Sequence, residues 1–106
     1  MEQQANQNNP QAGGQQQQVQ VKITDEILKG AYANMAQIGH TQEEFVIDFM
    51  NLLGGAGIVT SRVVVSPGHA KRLANALMEN IKRYEEQFGK IQDTAAPSPK
   101  IGFQTE

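Results

Sequence analysis

The chain holds two imidazoles, His40 and His69, and imidazole is the side chain most readily turned to acid–base work or metal ligation near neutral pH. Joined by Asp48 or Asp25, either ring has the chemistry for an acid–base pair or part of a metal site. Their surroundings favour plainer roles. His40 falls in a predicted turn, and His69 falls in the first turn of a predicted helix, where the N-terminal dipole opposes a protonated ring. Both are expected to pack or to hydrogen-bond locally, so no catalytic residue, no metal ligand and no cofactor is expected. Asp48 is more pointed, because a carboxylate inside a strand needs a donor. Arg62, on the neighbouring predicted strand, is the natural one. A structural Asp48–Arg62 ion pair is expected, across the sheet or across a subunit boundary.

Lys71, Arg72, Lys82 and Arg83 repeat at an eleven-residue offset, close to three helical turns, so both basic pairs lie on one side of a helix. That arrangement can grip phosphates, and it makes these four the candidate nucleic-acid contacts. Against it, Glu79, Glu85 and Glu86 interleave with them, aromatic stacking residues are scarce, and no nucleic-acid-binding signature is present. A solvated helix face is the expected reading. Gly54-Gly55-Ala56-Gly57 lacks the lysine of a phosphate-binding loop and precedes a strand instead of a helix. Thr60, Ser61 and Ser66 have no elbow motif and no base at useful spacing. The chain is therefore expected not to be an enzyme.

Composition sets wider bounds. With 106 residues, 9 basic against 11 acidic side chains and a formal net charge of −2, the chain has no long-range attraction to nucleic acid or anionic lipid. The absence of cysteine removes disulfides, thiolate nucleophiles and sulfur-ligated metals. The first residues, Met1-Glu2-Gln3-Gln4, show neither a basic nor an apolar export segment, and no apolar run approaches the ~20 residues that span a bilayer. A cytoplasmic protein with no membrane association is expected, of bacterial type. Residues 1–18, rich in glutamine with Pro10, Gly13 and Gly14, predict a disordered leader. Residues 92–106, with Pro97 and Pro99, predict a disordered tail, leaving 19–91 as a single domain. A domain of that size buries a modest core, and association is the usual remedy.

The elements that must position these residues follow from periodicity. Val19, Val21 and Ile23 alternate with polar residues as a short strand does. Asp25 to Gly30 reads as a connector, a turn or a single helical turn, and Ala31 to His40 as an extended segment of low propensity. After a polar turn at Thr41–Glu44, Phe45 to Met50 is the clearest strand, with Phe45, Ile47 and Phe49 on one face. Gly54 to Gly57 reads as a flexible connection. Ile58 to Val65 follows as a strand, with Val59, Ser61, Val63 and Val65 facing one way and Ile58, Thr60, Arg62 and Val64 the other. Ser66 as N-cap and Pro67 at the first helical position then start a helix that runs to about Phe88 and stops at Gly89. Ala70, Leu73, Ala74, Leu77, Ile81, Tyr84 and Phe88 form its apolar stripe. Glu79–Arg83 and Lys82–Glu86 are i, i+4 pairs on its polar side.

Three strings carry a resemblance: HTQEEFVIDF (40–49), SRVVVSPGHAKRL (61–73) and NIKRYEEQFG (80–89). Together they resemble the small prokaryotic family catalogued as domain of unknown function 3467, over Val19 to Ile91. The resemblance implies no catalytic residue. The chain departs from the family pattern at Leu52–Gly57, where relatives often carry a proline-containing loop, and its glutamine-rich leader looks particular to it.

The expected fold is α+β: an antiparallel sheet of three or four strands followed by one long C-terminal helix packed on one face, in the order ββββα. One helix covers one face, so Val46, Met50, Ile58 and Val64 are the candidate interface of a homodimer or larger assembly. The expected function is a non-enzymatic protein-binding or scaffold module whose expected partner is itself, with another protein as the second candidate. Sheet followed by helix is similar in outline to the export chaperone of the Sec pathway, an analogy of architecture alone. A nucleic-acid-binding regulator is the alternative, and an enzyme the last.

Overall fold

In a computed structural model of the chain, residues 17–94 and 100–105 are described; most of the expected leader, and residues 95–99 and 106 of the expected tail, lie outside them. The chain divides into two units, Met1–Gly30 and Ala31–Glu106.

In the first unit the connector is a short helix, α1 (Asp25–Lys29). The Thr24 hydroxyl accepts from the Ile27 N–H at 3.3 Å, and Gly30, at φ 79°, donates its N–H back to the Ile27 carbonyl. Asp25 and Glu26 in the first turn and Lys29 in the last match the helix dipole. The expected strand at Val19–Ile23 is not formed. A strand is defined by its ladder, and among the described residues no backbone hydrogen bond reaches this segment.

The second unit is a three-stranded antiparallel sheet in the order β1 (Met35–His40), β2 (Phe45–Leu53), β3 (Ala56–Val65), followed by the helix α2 (Pro67–Phe88). Thr41 makes the first hairpin: its hydroxyl accepts from the Glu43 and Glu44 N–H groups at 3.2 and 3.3 Å, and its own N–H donates to the Glu44 carbonyl at 2.9 Å. The glycines expected to be a loose connection instead form a tight hairpin. Leu53 pairs with Ala56, leaving Gly54-Gly55 as a two-residue turn with Gly54 at φ 61°, a left-handed conformation that glycine adopts without strain. Gly57 is already inside β3 opposite Leu52, and a Cβ there would collide with the Leu52 side chain.

A bulge redirects half of β3. Phe49 pairs with Ser61 but Met50 pairs with Val59, so Thr60 is the extra residue, and its hydroxyl donates to the Phe49 carbonyl at 3.1 Å. Partners across an antiparallel ladder share a face. Val59 therefore joins Met50, Arg62 and Val64 on one face, and Ile58 crosses to the face of Ser61, Val63 and Val65, the reverse of strict alternation. The edge of β1 is lengthened by Asn34, whose side-chain amide donates to the Leu52 carbonyl and accepts the Leu52 N–H, both at 2.9 Å. It does with a side chain what one more ladder residue would do with its backbone.

Little of this is buried. Among the described residues Ile47, at 7% exposure, and Met50, at 2%, are the closed apolar side chains, on opposite faces of β2. The helix α2 begins and ends as its sequence predicts: the Ser66 hydroxyl accepts the His69 N–H at 3.1 Å, and Gly89, at φ 97°, donates to the Glu85 carbonyl. None of its residues is buried. Ala70, Ile81 and Glu85 are half-buried, whereas Leu73 (41%), Leu77 (59%), Tyr84 (49%) and Phe88 (65%) stay exposed. Of the expected pairs along it, Arg83–Glu79 forms at 3.5 Å; among the described residues Lys82–Glu86 does not.

Candidate functional site

Asp48 and Arg62 are direct partners in the β2–β3 ladder and lie on the same face. The Arg62 Nε donates to one carboxylate oxygen at 2.6 Å and Nη2 to the other at 2.9 Å, a bidentate fork. The carboxylate is closed, with 7% of its side chain exposed, while the arginine side chain is 59% exposed. The hydrogen bonds from Arg62 hold the Asp48 carboxyl below the ordinary value of 3.8, against burial, which pushes the other way; the positive charge adds a smaller pull. The same hydrogen bonds raise the Arg62 guanidinium.

This pair lines an open recess of about 330 Å³, together with Gln37, His40, Val46 and Phe103. The recess thus brings His40 to the neighbourhood of Asp48, but not into an acid–base arrangement. The His40 ring stacks on Phe45 at 5.2 Å between centroids. Both Asp48 oxygens are engaged by a permanently charged donor, which makes the carboxylate a weak base. His69 lies elsewhere, at the start of α2, with its Nδ1 3.3 Å from Arg72 Nη2. Among the described residues no three His, Asp or Glu side chains gather as metal ligands do.

The four residues read as an interface do not form one patch. Val46 and Val64 are paired across the ladder, with Val64 50% exposed. Met50 shares their face but is 2% exposed, and the bulge moves Ile58, 65% exposed, to the other face. Lys71, Arg72, Lys82 and Arg83 are all exposed on α2, but Arg83 is paired with Glu79 and Arg72 leans on His69. What sequence reasoning did not locate is the open apolar edge of α2. The stripe was legible; that it stays open, with Ala70 and Ile81 half-buried and the rest exposed, was not.

A small antiparallel sheet followed by one long, largely exposed helix, with a cross-strand ion pair beside an open recess, defines an α+β module. The sequence model described as "Protein of unknown function (DUF3467)" matches residues 1–93, leader included, and the chain belongs to that family. No curated protein and no solved structure matches the chain. Among the described residues no helix is long and apolar enough to cross a membrane.

Proposed function

We propose that this chain is a non-enzymatic protein-binding or scaffold module that acts as a homo-oligomer in the cytoplasm, with chaperone-like capture of extended apolar segments as the binding its surfaces suit. The observation that carries this reading is a 22-residue helix with no buried residue, beside a sheet with two closed apolar side chains. A surface of that kind is left over for protein contact. The engaged oxygens of Asp48 support the non-enzymatic part, because the one closed carboxylate among the described residues is committed to Arg62.

Light scattering on the full chain across a dilution series tests the reading. A mass of two or more chains at low micromolar concentration is expected. The mass of one chain, 11.6 kDa, at every concentration would remove the oligomer, and failure to slow aggregation of an unfolding reporter protein would remove the chaperone-like part.

A further inference from the structure

The open edge of α2 has an internal symmetry. Leu73, Leu77, Tyr84 and Phe88 are 41%, 59%, 49% and 65% exposed, and Leu73 to Tyr84 and Leu77 to Phe88 are both eleven-residue steps. At 3.6 residues per turn an eleven-residue step drifts by only about 20°, so the four form a ridge almost parallel to the helix axis. The ridge is flanked by the half-buried Ile81 and Glu85 on one side and by Ala76, Asn80 and Gln87 on the other. Its two ends are equidistant from the midpoint between Asn80 and Ile81, and so are its two inner residues.

We infer that α2 pairs with α2 of a second copy, antiparallel about a two-fold axis that passes beside Asn80; this rests on the homo-oligomer reading and names its interface. In that arrangement Leu73 of each copy meets Phe88 of the other, and Leu77 meets Tyr84. Each branched aliphatic side chain lies against a ring, and no large side chain is left facing another of its own kind. The Tyr84 and Phe88 rings already lie 5.0 Å apart between centroids, a preformed slab for the two leucines. Ala76 next to the ridge allows close approach. Asn80, whose Nδ2 donates to the Ala76 carbonyl at 3.0 Å, keeps its side-chain oxygen for the second copy's Asn80 at the axis. A single polar contact there fixes the register of a helix pair.

The area suits a second copy. Taking roughly 200 Å² for a fully exposed large side chain, the exposed fractions of the four residues amount to about 430 Å² of apolar surface per chain. That is about half of the ~800 Å² per partner of a standard interface, before Ala76, Asn80, Gln87 and the rest of the helix are counted.

Because the chain has no cysteine, single-cysteine variants test the geometry cleanly. A disulfide needs Cα atoms within about 7 Å. Under mild oxidation with oxidised glutathione, Asn80→Cys is expected to cross-link to itself in most chains. Leu73→Cys is expected not to, since its two copies would lie on the order of 22 Å apart along the axis. Leu73→Cys mixed with Phe88→Cys is expected to give the mixed dimer. All three sites are exposed, and circular dichroism of each variant checks folding. Self-cross-linking of Leu73→Cys and Asn80→Cys alike would mean parallel helices and overturn the proposal. No cross-link in chains that light scattering shows to be oligomers would overturn the helix pair and leave the homo-oligomer standing. No cross-link in single chains would overturn both.

Discussion

Leu77→Ala separates an interface role from a structural one. Leu77 is 59% exposed in the single chain, so a second copy has that fraction left to cover. Fully burying a leucine is worth about 1.5–3 kcal/mol, which makes the remaining share about 1–2 kcal/mol per chain. Alanine keeps the Cβ and forfeits most of the rest. With the residue present twice in a symmetric pair, the loss is about 1.5–3 kcal/mol per dimer, and at ~1.4 kcal/mol per decade the dissociation constant rises roughly 10- to 100-fold. The fold of the single chain changes little, because alanine is the stronger helix former and the lost side chain was mostly in water, an effect within about 0.5 kcal/mol. The comparison is Met78→Ala: Met78 is 66% exposed but lies one position, about 100°, round the helix from Leu77, and its replacement is expected to shift the constant by less than about threefold. Sedimentation velocity of the parent and both variants over a dilution series reads the three constants. Equal shifts for the two variants, or none for Leu77→Ala, would refute the reasoning.

Asp48→Asn removes the fork to Arg62, and its effect depends on pH with a definite sign. The folded carboxyl sits below its ordinary value of 3.8, so the stability it contributes is fully present above that value and is lost as pH falls through the folded one. The variant is expected to be less stable than the parent at pH 7 and to lose part of the acid-side slope below about pH 4, as read by urea unfolding at several pH values; an unchanged slope counts against the assignment. Ser66→Ala deletes the oxygen that accepts the His69 N–H, and the expected cost is about 1 kcal/mol in urea unfolding, with Ser66→Asp retaining most of the stability. Gly57→Ala puts a methyl group where the far end of the Leu52 side chain lies across the ladder; because Leu52 is half-buried and free to swing aside, the expected cost is less than about 1 kcal/mol, with thermal unfolding as the readout and a larger loss counting against that room.

The parts of this fold that local chemistry decides were legible from the chain alone. Ser66, Pro67 and Gly89 bound α2 because capping is settled within one turn of sequence, and Phe45, Ile47 and Phe49 fall on one face of β2. The Asp48–Arg62 pair was legible for a related reason, since a carboxylate in a strand next to an arginine strand has few other donors. The misreadings came where neighbouring strands decide. The turn at Gly54-Gly55 takes its tightness from the pairing of Leu53 with Ala56, and the bulge at Thr60 reverses Ile58 and Val59 through a hydrogen bond to Phe49; a run of β-branched residues carries no mark of either. Val19, Val21 and Ile23 have the alternation of a strand, but alternation supplies no partner. Asn34 illustrates the converse, an unremarked polar residue that closes a sheet edge because Leu52 lies opposite.

The central claim is that the folded chain associates with itself, and thermal unfolding of the full chain at increasing concentration tests it most directly. When the folded form is an oligomer, its midpoint rises with concentration by mass action. A midpoint that climbs by several degrees between about 1 and 100 µM, and that climbs less for Leu77→Ala, is the predicted result. A midpoint independent of concentration over that range would contradict the account.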